Sequence, residues 1–174
     1  LIINELGLTD DQVSLSVDKV SPDDLAKVYS AVDCTVNIAD AEGFGLGTLE
    51  SLACETPIIV NMTGGLQEQV TNGKDWFGIG IEPCSKSVIG SQDVPYIYED
   101  RISKEMFLDS LEKFYNTPKE VRKSWGLGGR NHVLENYSLS QYGNKWYELF
   151  KYVEENMGSW ETRKNYQNWS IEEL

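Results

Sequence analysis

Three short apolar runs constrain this chain more than any other feature: "CTVNIA" at 34–39, "IIVN" at 58–61 and "GIGIEP" at 78–83, with helix-patterned segments between them. Runs this short and this continuously apolar are strands covered on both faces, and helices in the gaps make neighbouring strands parallel. The pattern predicts an α/β fold, a Rossmann-like parallel sheet flanked by helices. A fourth run, "VSLSV" at 13–17, alternates apolar and polar residues and is expected as a strand as well.

The helices have their own markers. Ser21-Pro22-Asp23-Asp24 places an N-cap, a proline at the first helical position and acids in the first turn, opening a helix with Leu25, Val28, Tyr29 and Val32 on one face. Further helices are expected over roughly 46–54 and 66–72, and, after residues 84–102 break the rhythm as a surface insertion, over roughly 103–116, 118–135 and 138–157. The last of these carries Tyr142, Trp146, Leu149, Phe150, Val153 and Met157 near one face. The glycines of "GLGG" (126–129) are expected to bend or end a helix, and lone His132 to be a surface or packing residue. The tail from Gly158 is polar apart from aromatic residues such as Trp160, Tyr166 and Trp169, which reads as a segment that docks on something. The chain opens at Leu1 within what reads as the end of an amphipathic helix, so the expectation is a fragment with sequence upstream of it.

Charge narrows the partners. A net charge of −13 opposes binding to nucleic acid or an anionic membrane, and no apolar run approaches the ~20 residues of a membrane span. Residues 1–80 hold only Lys19, Lys27 and Lys74 against thirteen acids. A phosphate bound there must rely on backbone amides, on a helix N-terminus, or on basic residues elsewhere. Cys34, Cys54 and Cys84 are unevenly spaced and read as buried, reduced thiols of a cytoplasmic protein, not as a disulfide or metal site.

Residues 41–57, "AEGFGLGTLESLACETP", run from strand through glycine turn to helix. The carboxyl ends of parallel strands are where open α/β sheets bind ligands. Gly43 and Gly45 allow a close backbone approach, and the first amides of a helix starting at Leu46 favour an anion. In that helix Leu46, Leu49, Glu50 and Ala53 share a face, so Glu50 reads as a carboxylate on an apolar stripe that needs hydrogen-bond donors. Sugar or ribose hydroxyls would serve, and so would a lysine of a neighbouring helix. Glu42 either faces the same cleft or caps backbone amides. As a dinucleotide fingerprint, "GFGLGT" lacks the third glycine and follows an acidic residue.

At these residues the chain resembles the retaining glycosyltransferases of GT-B fold, whose pattern is Glu, Gly-Phe-Gly, an apolar residue, Leu-Glu eight residues after the first glutamate, a small-residue helix, then proline and two β-branched residues. Glu42, Gly43, Phe44, Gly45, Leu46, Leu49, Glu50, Ala53, Pro57, Ile58 and Ile59 fit this E-x7-E arrangement. "SPDDLAKVYSAVDCTVNIA", "TGGLQEQVTNG" and "GGRNHVLENYSLSQYGNKWYELF" resemble the flanking blocks in the same order. The likeness fades over 84–102 and after 157. Glu55 stands where the family usually has glycine, and the basic pair that holds the donor pyrophosphate is upstream in the family and not in this chain.

The resemblance implies a nucleotide-sugar-binding Rossmann-like domain over 1–157, the C-terminal half of a GT-B enzyme, with 158–174 as a tail docking on the missing N-terminal domain. It implies sugar transfer with retention from a nucleotide-diphosphate-sugar, the donor substrate, to an acceptor that is a glycan, lipid or protein, with no cofactor and no essential metal. Carried over residue by residue, Glu42 contacts and orients the donor sugar and is the catalytic candidate. Gly43, Phe44, Gly45 and Leu46 supply backbone to the sugar and pyrophosphate. Glu50 holds the ribose hydroxyls, and Val20 and Leu25 border the nucleobase. The fragment alone is expected to be inactive. A nucleotide-sugar epimerase of the same fold and a non-catalytic nucleotide-sugar-binding module are the alternatives.

Overall fold

The computed structural model describes residues 2–9 and 11–164. Its centre is a three-stranded parallel sheet in the order β1 (Thr35–Asn37), β2 (Ile58–Asn61), β3 (Gly78–Ile81). Helix α3 (Leu46–Ala53) crosses from β1 to β2 and helix α4 (Leu66–Val70) from β2 to β3. Ahead of the sheet come a short α1 (Ile2–Glu5) and α2 (Pro22–Ala31). Behind it come the hairpin β4 (Ser85–Ile89) and β5 (Ile97–Arg101), then α5 (Lys104–Asn116), α6 (Lys119–Asn136) and α7 (Leu139–Met157).

Strand β2 explains why the apolar runs are continuous. All four of its residues are buried, because successive side chains enter different layers. Ile58 and Val60 point into a cluster with Leu52, Leu66, Val70 and Phe77, while Ile59 joins Ile79, Ile81 and Phe114 on the opposite face. Burial of these side chains stabilises the sheet by about 1.5–3 kcal/mol each. Ser21 caps α2 as expected, accepting the Asp24 amide at 3.2 Å.

Two expectations are corrected, those for residues 13–17 and for the "GLGG" glycines. Residues 13–17 form no strand: the parallel sheet ends at β1, nothing described pairs with the segment, and Leu15 and Val17 are exposed. The 84–102 insertion is regular, an antiparallel hairpin in the register Ser85↔Arg101 to Ile89↔Ile97. Helix α6 runs unbroken through "GLGG". Its glycines serve close packing: a Cβ on Gly126 would stand 1.9 Å from the Glu55 carbonyl oxygen, and one on Gly129 would stand 2.5 Å from Leu52 Cδ2.

His132 is a packing residue, stacked on Phe77 with ring centroids 4.9 Å apart and bonded through Nε2 to the Glu68 carbonyl at 2.8 Å. The aromatic face of α7 is exposed and none of its residues is buried. Trp160 is exposed too, whereas Tyr166 and Trp169 of the expected docking tail lie outside the described residues. Of the cysteines expected to be buried, Cys34 and Cys54 are half-buried, but Cys84 is exposed at the foot of the hairpin; all three are free. No helix among the described residues is long and apolar enough to cross a membrane.

Candidate functional site

The loop from Ala39 to Gly45 leaves the carboxyl end of β1 and enters α3. Gly45 is its pivot, at φ 84° and ψ 62°, left-handed backbone that glycine adopts without penalty. A Cβ there would also lie 2.5 Å from Leu66 Cδ2, so both conformation and space require glycine. From this pivot the chain turns directly into α3, and the amides of its first turn lack intrahelical acceptors.

The loop is held from beneath by two buried polar residues. Gln69, fully buried on α4, donates through Nε2 to the carbonyls of Phe44 and Gly45, and its Oε1 accepts the Thr48 hydroxyl at 2.6 Å. Gly64 lies flat against the loop, where a Cβ would meet the Glu42 carbonyl oxygen at 1.6 Å, and the Gly65 amide donates to Gly43 at 3.2 Å. The "TGG" turn is therefore a support for the loop as well as the start of α4.

Glu42 is half-buried, and its carboxylate accepts from Asn37 Nδ2 at 3.4 Å. Asn37 itself is fixed by the Ala39 amide donating to its Oδ1 at 3.1 Å. The last residue of β1 thus sets the direction of the glutamate. Phe44 is partly exposed, with its ring edge-on to Tyr137 at 5.9 Å, and Leu46 is exposed beside it.

The expected face of α3 is corrected. The helix buries Thr48, Ser51 and Leu52, while Leu46 and Glu50 are exposed and Leu49 and Ala53 half-buried. Leu52 packs against Gly129 of α6, while the buried hydroxyls of Thr48 and Ser51 donate to Gln69 Oε1 and to the Thr56 carbonyl. Glu50 is therefore not a carboxylate forced into the core. It does have a donor, the Tyr29 hydroxyl at 3.2 Å. Burial pushes the Tyr29 phenol above its ordinary pKa, and the Glu50 carboxylate adds to the shift.

Glu50 and Tyr29 open onto a cavity of about 330 Å³ lined also by Val20, Pro22, Leu25, Ala26 and Lys19. Three residues singled out from sequence, Val20, Leu25 and Glu50, thus share one cavity. Glu42 lies outside it, at the other end of the Gly43–Gly45 turn. The chemistry is divided accordingly: an apolar wall with one carboxylate and one lysine on the α2 side, and a positioned carboxylate beside free backbone on the β1 side. Tyr29, Gln69, Thr48 and Asn37 were not foreseen as site residues. Tyr29 reads from sequence as one more apolar-face residue of α2, and no local pattern in the chain marks Gln69.

The family model described as glycosyl transferases group 1 matches residues 2–132, three-quarters of the chain and the whole of this site. D-inositol 3-phosphate glycosyltransferase of Thermobispora bispora is 44% identical over 69 residues, covering 40% of this chain and 16% of that protein. D-inositol 3-phosphate glycosyltransferase 2 of Catenulispora acidiphila is 32% identical over 102 residues, covering 57% of this chain and 23% of that protein. The chain therefore spans under a quarter of the length of these relatives. Among solved structures, sucrose-phosphate synthase from Thermosynechococcus elongatus superposes with a TM-score of 0.60 at 24% identity, over 87% of this chain and 33% of that one. A chain of the GtfA/B complex superposes at 0.64 with 18% identity, over 88% and 27%. These two share the fold, and the sequence match over 2–132 supplies the family: this chain belongs to the group 1 glycosyltransferases.

Proposed function

We propose that the chain binds the nucleotide-sugar donor of a retaining glycosyltransferase, with Glu42 on the sugar and Glu50 on the ribose. The observation that carries the reading is the shared cavity of Val20, Leu25 and Glu50. Its apolar wall suits the faces of a nucleobase, and a carboxylate at its edge suits the paired hydroxyls of a ribose, which donate to it. Lys19 adds one cation to a region otherwise short of them.

The remaining steps follow from charge. As the bond between sugar and diphosphate breaks, negative charge gathers on the departing phosphate and positive charge on the sugar ring. The first-turn amides of α3, behind the Gly45 pivot, face the phosphate with the positive end of the helix dipole. Glu42, fixed by Asn37, holds sugar hydroxyls so that the anomeric carbon is presented to the acceptor, and it forms no covalent bond. The two carboxylates serve different parts of one ligand, so the acid-and-nucleophile pairing of glycoside hydrolases does not apply.

Calorimetric titration with UDP, GDP and ADP tests the reading. One of the three is expected to bind, and Glu50→Ala to weaken it by about 1–3 kcal/mol, the range for an unpaired polar partner. Binding that is indifferent to Glu50→Ala would remove the ribose assignment.

A further inference from the structure

We infer that the β4–β5 hairpin is part of the donor site's machinery: its root residues Asp100 and Arg101 latch the loop that carries Glu42 and so position that carboxylate for the sugar. The inference rests on the donor reading above and adds residues outside the E-x7-E motif.

The latch grips the loop from both sides of Glu42. On one side, the Asp100 amide donates to the Asp40 carbonyl at 2.7 Å, and Arg101 pairs through one guanidinium nitrogen with the Asp40 carboxylate at 2.5 Å and through the other with Glu99. Asn61, fully buried at the end of β2, adds a bridge, its Nδ2 donating to the Ala39 and Asp100 carbonyls at 2.9 Å each. On the other side, the Thr63 hydroxyl donates to the Asp100 carboxylate at 2.9 Å, and Thr63 precedes Gly64, which abuts the Glu42 carbonyl. Asp40 is two residues before Glu42, within about 7 Å along the chain. The hairpin root therefore fixes the backbone on either side of the glutamate.

The charges make Arg101 the central member. Asp40 and Glu99 are brought together from segments far apart in sequence, with side chains 37% and 19% exposed, and Arg101 is the cation between them. Its planar fork spans both, which a lysine ammonium cannot do. Without it two carboxylates repel next to Glu42, and the loop must shift. Lys86, the other cation of the hairpin root, is more exposed and pairs with Asp100 at 3.3 Å.

A merely structural anchor and a positioning latch predict different binding. The wild-type chain, Arg101→Ala, Arg101→Lys and Lys86→Ala are titrated with matched pairs: UDP and UDP-glucose, GDP and GDP-mannose, ADP and ADP-glucose. For the pair that binds wild type, Arg101→Ala is expected to weaken the nucleotide-sugar about fivefold and the bare diphosphate by less than about twofold. Arg101→Lys falls between, and Lys86→Ala, which removes an exposed partner of Asp100, weakens the nucleotide-sugar less than Arg101→Ala does. Thr63→Val, a smaller change at the same latch, gives the same selective loss should Arg101→Ala fail to fold. Equal losses for both ligands, or no loss in a folded Arg101→Ala, overturn the latch while leaving the donor reading intact. A wild-type chain that binds no member of any pair overturns the donor reading, and the latch falls with it.

Discussion

The Tyr29 hydroxyl donates to the Glu50 carboxylate at 3.2 Å, tying α2 to α3 along the wall of the cavity that Val20 and Leu25 line. The contact depends on a further tie, since the Thr56 hydroxyl donates to the Tyr29 carbonyl at 2.7 Å and fixes where the ring begins. Tyr29→Phe removes one hydrogen bond without opening a cavity. Under the donor reading it is expected to weaken nucleotide binding by about 0.5–1.5 kcal/mol, less than Glu50→Ala. Titration of the two variants side by side checks the order.

The same tyrosine gives a pH dependence. Burial, then the Glu50 carboxylate, raises the phenol's pKa in the folded chain. The folded state thus holds its proton more tightly than the unfolded state does, near pH 10. That contribution is fully present below about pH 10 and is lost as pH rises through the folded value. Tyr137 is raised likewise, by burial and by Glu68. Urea denaturation between pH 9 and 11 should show stability falling, and Tyr29→Phe should fall less steeply while retaining the Tyr137 share.

Gln69 joins α4 to the loop through three hydrogen bonds in a site closed to water. Gln69→Ala removes the donor to the Phe44 carbonyl, while the Thr48 hydroxyl keeps the Gly45 carbonyl at 2.9 Å, so a loss of about 1–3 kcal/mol is expected. Gln69→Glu keeps the shape and replaces a donor with an acceptor facing two carbonyls. It should cost at least as much, measured as the shift in the denaturation midpoint. A cost below 1 kcal/mol for both would show that the loop holds itself.

Glu55 and Gly126 meet across α3 and α6 and predict opposite signs. Glu55 sits at φ 62°, left-handed backbone that costs a non-glycine residue about 1–2 kcal/mol, and its pairing with Arg130 at 3.7 Å between two exposed side chains returns little. Glu55→Gly is expected to stabilise by about 1 kcal/mol, a rise of roughly 2–4 °C in Tm. Gly126→Ala gains about 1 kcal/mol of helix propensity. Its methyl would lie 1.9 Å from the Glu55 carbonyl, and such overpacking costs about 1–3 kcal/mol, so destabilisation is the expected net result. Thermal melts of the two variants decide both signs.

Cysteine reactivity separates the three thiols. Burial pushes the Cys34 thiol up, with Asp33 adding to the shift, whereas Cys84 is exposed on the hairpin side of the sheet. Alkylation with iodoacetamide near pH 8, followed by peptide mass analysis, should label Cys84 first and Cys34 last.

The sheet was legible because its strands are covered on both faces and so are written as unbroken apolar runs. Ile58–Asn61 is the plainest case, predicted and found over the same four residues. The helix start marked by Ser21 could be read from its capping chemistry. What failed was inference from periodicity where the neighbour decides burial. Leu46 and Glu50 point outward because the inner face of α3 is taken by Leu52 against Gly129 of α6, by Thr48 bonded to Gln69 of α4, and by Ser51 bonded to the Thr56 carbonyl. Residues 13–17 have strand chemistry and no described partner to pair with. Within the site, the glycine turn and the two glutamates could be located from spacing, and Glu50, Val20 and Leu25 proved to be neighbours. Gln69, Asp100 and Arg101 stayed hidden because their contacts to the loop cross between separate elements, a relation that only the folded chain expresses, and Asn37 because its local bonds to Ala39 and Glu42 leave no mark in the strand pattern.

The central claim is that the cavity of Val20, Leu25 and Glu50 holds the nucleotide of a sugar donor. Calorimetric titration of this chain with UDP, GDP and ADP, repeated with Glu50→Ala, tests it most directly. The account predicts saturable binding of one nucleotide, weakened roughly 5- to 150-fold in the variant, the equivalent of about 1–3 kcal/mol. Equal affinity in wild type and variant, or no binding of any of the three, would contradict it.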